Sequence, residues 1–262
     1  MTQMVFNRYE KKYLLPEPVY LELRSLLEEH MTADQFGLST ICNIYYDTED
    51  DLLIRRSIEH PVYKEKLRLR SYGTPGRHSG VFLEIKKKYD HIVNKRRIEL
   101  PLHEAYKYLD HGIRPGRSSQ ILNETDFFLA RYPLRPKLYL AYERIAFYGN
   151  QDPEFRVTFD SRIRSRRTNI RLEQGDFGRL LLPESWYLME IKVSQAVPKW
   201  FSEILVGLHI YSSSFSKYGN IYRKEHDAWD VEAFMSHRFT EMKNDSFSDP
   251  RQLQRYRRKM IC

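Results

Sequence analysis

The sequence predicts an α+β fold: an antiparallel β-barrel tunnel of about eight strands, with a charged lumen and helices packed on the outside. Three observations predict it. Strand-like stretches are interrupted by helices rather than alternating regularly with them, which argues against a doubly wound parallel sheet. Many of these stretches carry Lys or Arg at every second position with apolar residues between, so their cations fall on one face. Two helical stripes, Val19–Leu27 and Val197–Leu208, need a sheet face to cover.

Phe6–Leu14 alternates and reads as a strand with Arg8, Glu10 and Lys12 on one face. Pro16 and Pro18 open a helix with Glu17 in its first turn, and Val19, Leu23, Leu26 and Leu27 form its core stripe. Ser39–Asp47 is a strand, and Asp50–Ser57 reads as a connector. Val62–Tyr72 is the clearest strand: Lys64, Lys66, Arg68 and Arg70 share one face, Leu67 and Leu69 the other. A turn at Gly73–Gly76 closes it.

Val81–Leu100 reads as a hairpin. Glu84, Lys86 and Lys88, then Lys95, Arg97 and Glu99, lie on one surface, with Leu83, Ile85, Ile98 and Leu100 behind. Helices are predicted over Leu102–Asp110 and Gln120–Tyr132, and a second hairpin over Pro136–Tyr148 and Glu154–Asp160. The basic run Arg162–Arg171 reads as a loop or an edge strand with its charges in water. Trp186–Val193 is a strand with Glu190 and Lys192 in one phase, and Val197–Leu208 an amphipathic helix. The division expected is a tunnel domain over residues 1–225 and a polar, basic helical tail over 226–262.

The 262 residues suffice for a full core, and 41% of them are apolar. Lys and Arg exceed Asp and Glu by 43 to 35, a net charge of +8, which suits an anionic partner. Cys42 and Cys262 give neither a disulfide framework nor a zinc spacing and fit a reducing, cytoplasmic compartment. No apolar run approaches the ~20 residues of a membrane span.

The charged strand faces allow two arrangements: cations outward in water, or cations inward around a lumen with apolar faces outward against helices. The helical stripes favour the second, as do the glutamates interleaved with the cations (Glu10, Glu84, Glu99, Glu190) and the poor β-propensity of Lys. A lumen of unpaired cations is costly, because each ion loses several kcal/mol of hydration. An elongated polyanion offsets that cost, and a polyphosphate chain fits, since guanidinium groups bind phosphate oxygens bidentately. Leftover carboxylates could hold a divalent metal.

Eight short motifs, in this order, resemble the VTC domain, the catalytic domain of vacuolar transporter chaperone-type polyphosphate polymerases, within the CYTH-like triphosphate tunnel metalloenzymes. They are Arg8-x-Glu10-x-Lys12-Tyr13, Lys66-Leu-Arg68-Leu-Arg70, Glu84-Ile-Lys86, Lys95-Arg-Arg97, Tyr142-Glu-Arg144, Arg156-Val-Thr-Phe-Asp160, Met189-Glu-Ile-Lys192 and Ser216-Lys217-Tyr218. The resemblance implies a tunnel that binds ATP and polyphosphate. It implies phosphate contacts from Lys12, Arg68, Arg70, Lys86, Arg144, Arg156 and Lys217, with Lys95, Arg97 and Lys192 as further lumen residues. It also implies a divalent metal, manganese or magnesium, on Glu190. Arg8 stands where the wider CYTH signature has a Glu, which removes one metal carboxylate and resembles the polymerase branch. Arg144 lies in the opposite strand phase from Glu143, so its inward aim rests on the resemblance or on a bulge.

Phosphoryl transfer needs placement and charge neutralisation, here by Arg68, Arg70, Arg156 and a metal on Glu190, and no strong general base. The activity so implied is a metal-dependent ATP:polyphosphate phosphotransferase. Hydrolysis of tripolyphosphate or polyphosphate in the same tunnel, and non-catalytic binding of polyphosphate or inositol polyphosphate, stay open beside it. A nucleic-acid partner is not expected. Glu190 could instead neutralise Lys192 or a cross-strand Arg, Lys217 could cap a helix, and Tyr13, Tyr45 and Tyr218 read as packing residues.

Overall fold

A computed structural model describes residues 9–90, 92–194, 196–226, 233 and 235. Arg8 and the basic tail beyond His226, apart from Ala233 and Met235, lie outside the described residues. In chain order the elements are β1 (Tyr9–Pro16), α1 (Glu17–Leu27), β2 (Met31–Ala33), β3 (Ser39–Asp47), α2 (Leu52–Ile58), β4 (Tyr63–Tyr72), β5 (Gly80–Tyr89) and β6 (Ile92–Pro101). There follow α3 (Leu102–His111), α4 (Gln120–Arg131), β7 (Arg135–Gly149), β8 (Arg156–Arg166), β9 (Arg179–Leu180), β10 (Trp186–Val193), α5 (Lys199–Gly207) and α6 (Lys217–His226).

The fold is α+β, with one antiparallel sheet of ten strands rather than about eight. Its order is β1-β10-β8-β7-β3-β4-β5-β6, with β2 added on β7 and β9 on β8. Among the described residues the path ends at β1 and β6 without a pairing between them, so no hydrogen bonds there close the barrel. The sheet nevertheless curls. β10, β8, β7 and β3 separate β1 from β4, which would hold them about 24 Å apart in a flat sheet. Yet Lys12 on β1 acts electrostatically on Lys64 and Lys66 of β4, and Lys86 on β5 acts on Glu10 of β1 and Lys192 of β10. Strands from the two ends of the sheet face each other across one lumen.

The apolar strand faces point outward, as the alternation requires. Tyr13, Leu15, Val157, Phe159, Met189 and Ile191 pack under α1 and α5. Leu67, Leu69, Leu83, Ile85 and Leu100 pack under α3 and α4. A third cluster lies inside: Leu14, Ile41, Leu138, Leu140 and Leu188 meet Phe215, Tyr218, Ile221 and Tyr222, and α6 fills that end. The charged lumen is therefore bounded at that end by an apolar plug.

Two local expectations change. Asp50–Ser57 is not a connector, because α2 occupies most of it. Its first-turn donors are satisfied from the preceding strand end: the Asp47 carboxylate accepts from the backbone N–H of Leu53 (2.8 Å) and Ile54 (2.9 Å), and Thr48 Oγ1 accepts from Leu52. The start of Arg162–Arg171 is not a solvated basic edge either. β8 continues through Arg166, and Arg164 and Arg166 are buried. The Arg166 guanidinium lies 3.4 Å from the Tyr139 ring centroid and 4.2 Å from that of Phe177, and donates to the carbonyls of Asn169, Phe177 and Arg171.

Candidate active site

Side chains one row apart on neighbouring strands share a face, so register decides which charges meet. On β4 and β5, Arg68 stands opposite Glu84, which stands opposite Arg97 of β6. Glu84 is almost fully buried. Its carboxylate accepts from Arg68 Nε at 2.5 Å, with Lys95 Nζ at 2.8 Å and Arg70 Nε at 3.9 Å. Burial by itself would raise its pKa, but Arg68, Arg70 and Lys95 together hold it down to about 2. Arg68 also donates to the Tyr45 hydroxyl (3.3 Å), and Arg70 to Asn43 Oδ1 (2.9 Å) and to the Tyr142 hydroxyl (3.3 Å).

A second centre forms where β1, β10, β8, β7 and α6 converge. Asp160 has no solvent exposure and takes a fork from Arg144, Nε to Oδ1 at 2.6 Å and Nη2 to Oδ2 at 2.7 Å. Lys217 Nζ reaches Asp160 Oδ2 at 2.5 Å and Glu190 Oε1 at 2.9 Å. Glu190 Oε1 also lies 3.7 Å from Lys12, and its Oε2 lies 3.4 Å from Arg144. Burial opposes ionisation of Glu190, yet Lys217, Lys12, Arg144 and Lys192 hold its carboxyl well below the usual range. Tyr142 links the centres: its hydroxyl accepts from Arg70, while its ring centroid lies 4.6 Å from the Lys217 ammonium and 5.1 Å from the Arg144 guanidinium.

The structure thus gathers Arg68, Arg70 and Lys95 around Glu84, and Lys12, Arg144 and Lys217 around Glu190. Arg144 needs no bulge of its own, because it alternates in phase with Leu140 and Tyr142, and Glu143 faces out toward Arg162 and Arg164. The irregularity sits on β8, where Arg162 takes a positive φ of 47° and the register shifts between Ala141 and Glu143. Arg156 does not join either centre. It is exposed at the start of β8, opposite Lys192, two residues from Thr158 in the Glu190 row. Lys86 is exposed between Lys66 and Lys95, and Arg97 is exposed over the Phe82 ring at 4.8 Å.

Lys217 spans two buried carboxylates instead of capping the preceding helix. Tyr45 is more than a packing residue, since its hydroxyl meets Arg68, whereas Tyr13 is buried in an outer cluster as expected. The residues that the motifs left without a role are Asp160, Tyr142 and Asn43. Asn43 carried a signal: it is the one amide on β3, in phase with Ile41 and Tyr45 at the centre of the apolar stretch Ile41–Tyr46.

Among the described residues no three His, Cys, Asp or Glu side chains stand close enough together to hold a metal. Glu190 Oε2 lies 3.4 Å from Arg144, the neighbouring Asp160 is taken up by Arg144 and Lys217, and Glu10 on β1 is held by Lys12 at 3.3 Å. These residues fit a divalent cation that takes one carboxylate oxygen and draws its other ligands from phosphate and water, as magnesium-like ions do. They do not fit a metal caged by protein alone.

The charge arrangement has opposite consequences at the two ends of the pH scale. Glu84 and Glu190 ionise more readily in the folded chain than the ordinary 4.5, so their contribution is present above that value and is lost in acid. Stability is expected to fall as pH drops from about 5 to about 2. Lys66 and Lys192 are shifted the other way. Burial lowers each, joined by Lys86 at Lys66 and by Arg144 at Lys192, to about 7 and 8. The unfolded chain then binds more protons, and stability is expected to rise from pH about 7 to about 9.5. Thermal melts across both windows check this, and a flat profile above pH 7 contradicts it.

The VTC domain family profile matches residues 7–226. Vacuolar transporter chaperone complex subunit 4 of Trypanosoma cruzi (strain CL Brener) is 25% identical, over 79% of this chain and 30% of that protein. The same subunit of Trypanosoma brucei brucei (strain 927/4 GUTat10.1) is also 25% identical, over 79% and 31%. The chain spans about a third of the length of the curated relatives it matches. Among solved structures, a Bacillus halodurans protein described as a candidate adenylate cyclase superposes with a TM-score of 0.54 at 17% identity, covering 82% of this chain and 96% of that one. A candidate adenylyl cyclase from Hippeastrum, with a dominant triphosphatase activity of its own, superposes with a TM-score of 0.50 at 15% identity, covering 82% and 95%. At these identities the two structures speak for the fold alone.

Proposed function

The chain belongs to the VTC domain family, and we propose that its lumen transfers the terminal phosphoryl group of ATP to the end of a polyphosphate chain. One observation carries the reading. Basic side chains from β1, β4, β6, β7, β10 and α6 converge on one partly buried lumen, where their carboxylate partners fall short of neutralising them.

In this reading Lys12, Lys86, Lys95, Arg97, Arg144, Lys192 and Lys217 hold phosphate oxygens of donor and acceptor. Arg68 and Arg70 stand over the group in flight, and Arg156 holds the entering chain. A terminal phosphate oxygen of the acceptor attacks the γ-phosphorus, the bond to the bridging β,γ-oxygen breaks, and ADP leaves. The attacking oxygen is already anionic, so no general base is required. The transition state is loose, with charge on its equatorial oxygens, which guanidinium groups stabilise in place. Glu190 would hold a divalent cation, manganese or magnesium, together with phosphate oxygens; bound there it supplies charge neutralisation of the transferring group. Among the described residues no helix is long and apolar enough to cross a membrane. The unpaired, buried Cys42 accords with the cytoplasmic compartment that the cysteine usage suggests.

The test is incubation with ATP and manganese, followed by gel analysis of chain length and assay of ADP. Polymer with stoichiometric ADP is expected. Orthophosphate without polymer assigns the site to hydrolysis, and absence of both products rejects the reading.

A further inference from the structure

β3 lies between β4 and β7, and Asn43 stands opposite Arg70 on one side and Leu140 on the other. It has no solvent exposure, and its amide spans both neighbours. Oδ1 accepts from Arg70 Nε at 2.9 Å, and Nδ2 donates to the Leu140 carbonyl at 3.1 Å. A guanidinium can only donate and a carbonyl can only accept, so the amide has a single orientation here. The second hold on Arg70 is the Tyr142 hydroxyl, at 3.3 Å from Nη2. Together these contacts take the Nε–H and one N–H of Nη2. They leave the Nη1–Nη2 edge of the fork to meet a pair of phosphate oxygens.

The partners of Arg70 are neutral, which sets it apart from the other cations at the two centres. Arg68 lies 2.5 Å and Lys95 2.8 Å from Glu84, Arg144 lies 2.6 Å and Lys217 2.5 Å from Asp160, and Lys12 lies 3.3 Å from Glu10. Arg70 is 3.9 Å from Glu84 Oε2, and that same oxygen already accepts from Arg68. Yet Arg70 is buried, with 7% exposure. A buried cation has lost its hydration and is ordinarily set against a carboxylate. A carboxylate on residue 43 would meet Arg70 at the same spacing and cancel its charge; the amide supplies the hydrogen bond and leaves the charge intact.

We propose that Asn43 is a positioning residue for phosphoryl transfer: it fixes the Arg70 fork through a neutral hydrogen bond, so that the full charge of Arg70 stays available to the transferring group. This rests on the phosphoryl-transfer reading above and adds to it a residue that touches no substrate. The neutrality matters as much as the hold. Preorganised charge stabilises a loose transition state only to the extent that no nearby counter-ion has already answered it.

The experiment compares wild type with Asn43→Leu, Asn43→Asp, Arg70→Met and the Asn43→Leu/Arg70→Met double variant, by steady-state kinetics of ATP turnover with manganese and by thermal melts. Asn43→Leu removes the hold and is expected to lose about tenfold to a hundredfold in kcat, the scale of a misplaced catalytic group, with kcat/KM falling alongside. Asn43→Asp keeps the contact to Arg70 but cancels its charge. It should melt at or above Asn43→Leu and yet turn over more slowly, by about a hundredfold or more against wild type. A purely structural role predicts the reverse order, because the Asp variant retains the contact. The double variant should be no slower than Arg70→Met alone, since Asn43 acts through Arg70. An Asp variant faster than the Leu variant, additive losses in the double variant, or a loss confined to KM overturns the proposal. Should Asn43→Leu fail to fold, the Asp variant decides: folded and within about threefold of wild type, it overturns the proposal as well. A wild type that turns over no ATP overturns the phosphoryl-transfer reading itself, and the wild type alone tells the two failures apart.

Discussion

An Arg68→Met variant is expected to lose about a hundredfold to a thousandfold in kcat for phosphoryl transfer, the range seen when one preorganised charge-stabilising donor is removed. Arg68 is the guanidinium that Glu84 and Tyr45 hold most directly in the lumen. An interaction made mainly in the transition state shows as kcat and kcat/KM falling together, whereas loss of ground-state phosphate binding shows in KM. Arg68→Lys keeps the charge but not the planar fork and should recover only part of the rate. Glu84 retains Lys95 at 2.8 Å and Arg70 at 3.9 Å, so the Met variant should remain folded. Steady-state kinetics on the three proteins decide the matter; a Met variant within threefold of wild type, a small factor beside the about hundredfold expected, removes Arg68 from the chemistry.

The largest stability effect belongs to a residue that contacts no solvent. Asp160→Ala takes away the carboxylate that binds Arg144 through both nitrogens and Lys217 through the other face of the same oxygen. Both cations are then left to Glu190, which already holds Lys12. Breaking a buried pair by removing one partner costs about 3–5 kcal/mol, because the remaining charge has lost its hydration and its counter-ion. A melting temperature lower by roughly 6–20 °C follows for a chain of this size. Tripolyphosphate can replace part of the missing charge, so it should raise the melting temperature of the variant more than that of wild type. Differential scanning fluorimetry with and without the anion checks both statements. A shift under about 2 °C, at most about 1 kcal/mol for this chain length, would mean that water already screens the site.

Much of this architecture was legible in the sequence because the signal is local. The two-residue period of Lys64, Lys66, Arg68 and Arg70 against Leu67 and Leu69 requires opposite faces whatever the sheet does, and the hairpin over Val81–Leu100 is found almost residue for residue as β5 and β6. The helical stripes at Val19–Leu27 and Val197–Leu208 named the covering layers correctly. What was misread lacked a local mark. α2 is capped by Asp47 and Thr48 from the end of the preceding strand rather than by the residue before it. The run at Arg162–Arg171 has the composition of a solvated edge, but within it Arg164 and Arg166 are buried, under β9 and between the Phe177 and Tyr139 rings.

The chain by itself determined which side chains share a face, and hence that a strip of cations with interleaved glutamates would line one side of an antiparallel sheet. Only the tertiary structure decided which charges neutralise one another. The curl brings β1 against β4 and β5, and α6 delivers Lys217 to Asp160 and Glu190 from far along the chain. Alternation is a property of neighbouring residues. Counter-ion choice depends on distances across the lumen, and those are set by the closure of the sheet and by the apolar plug at one end.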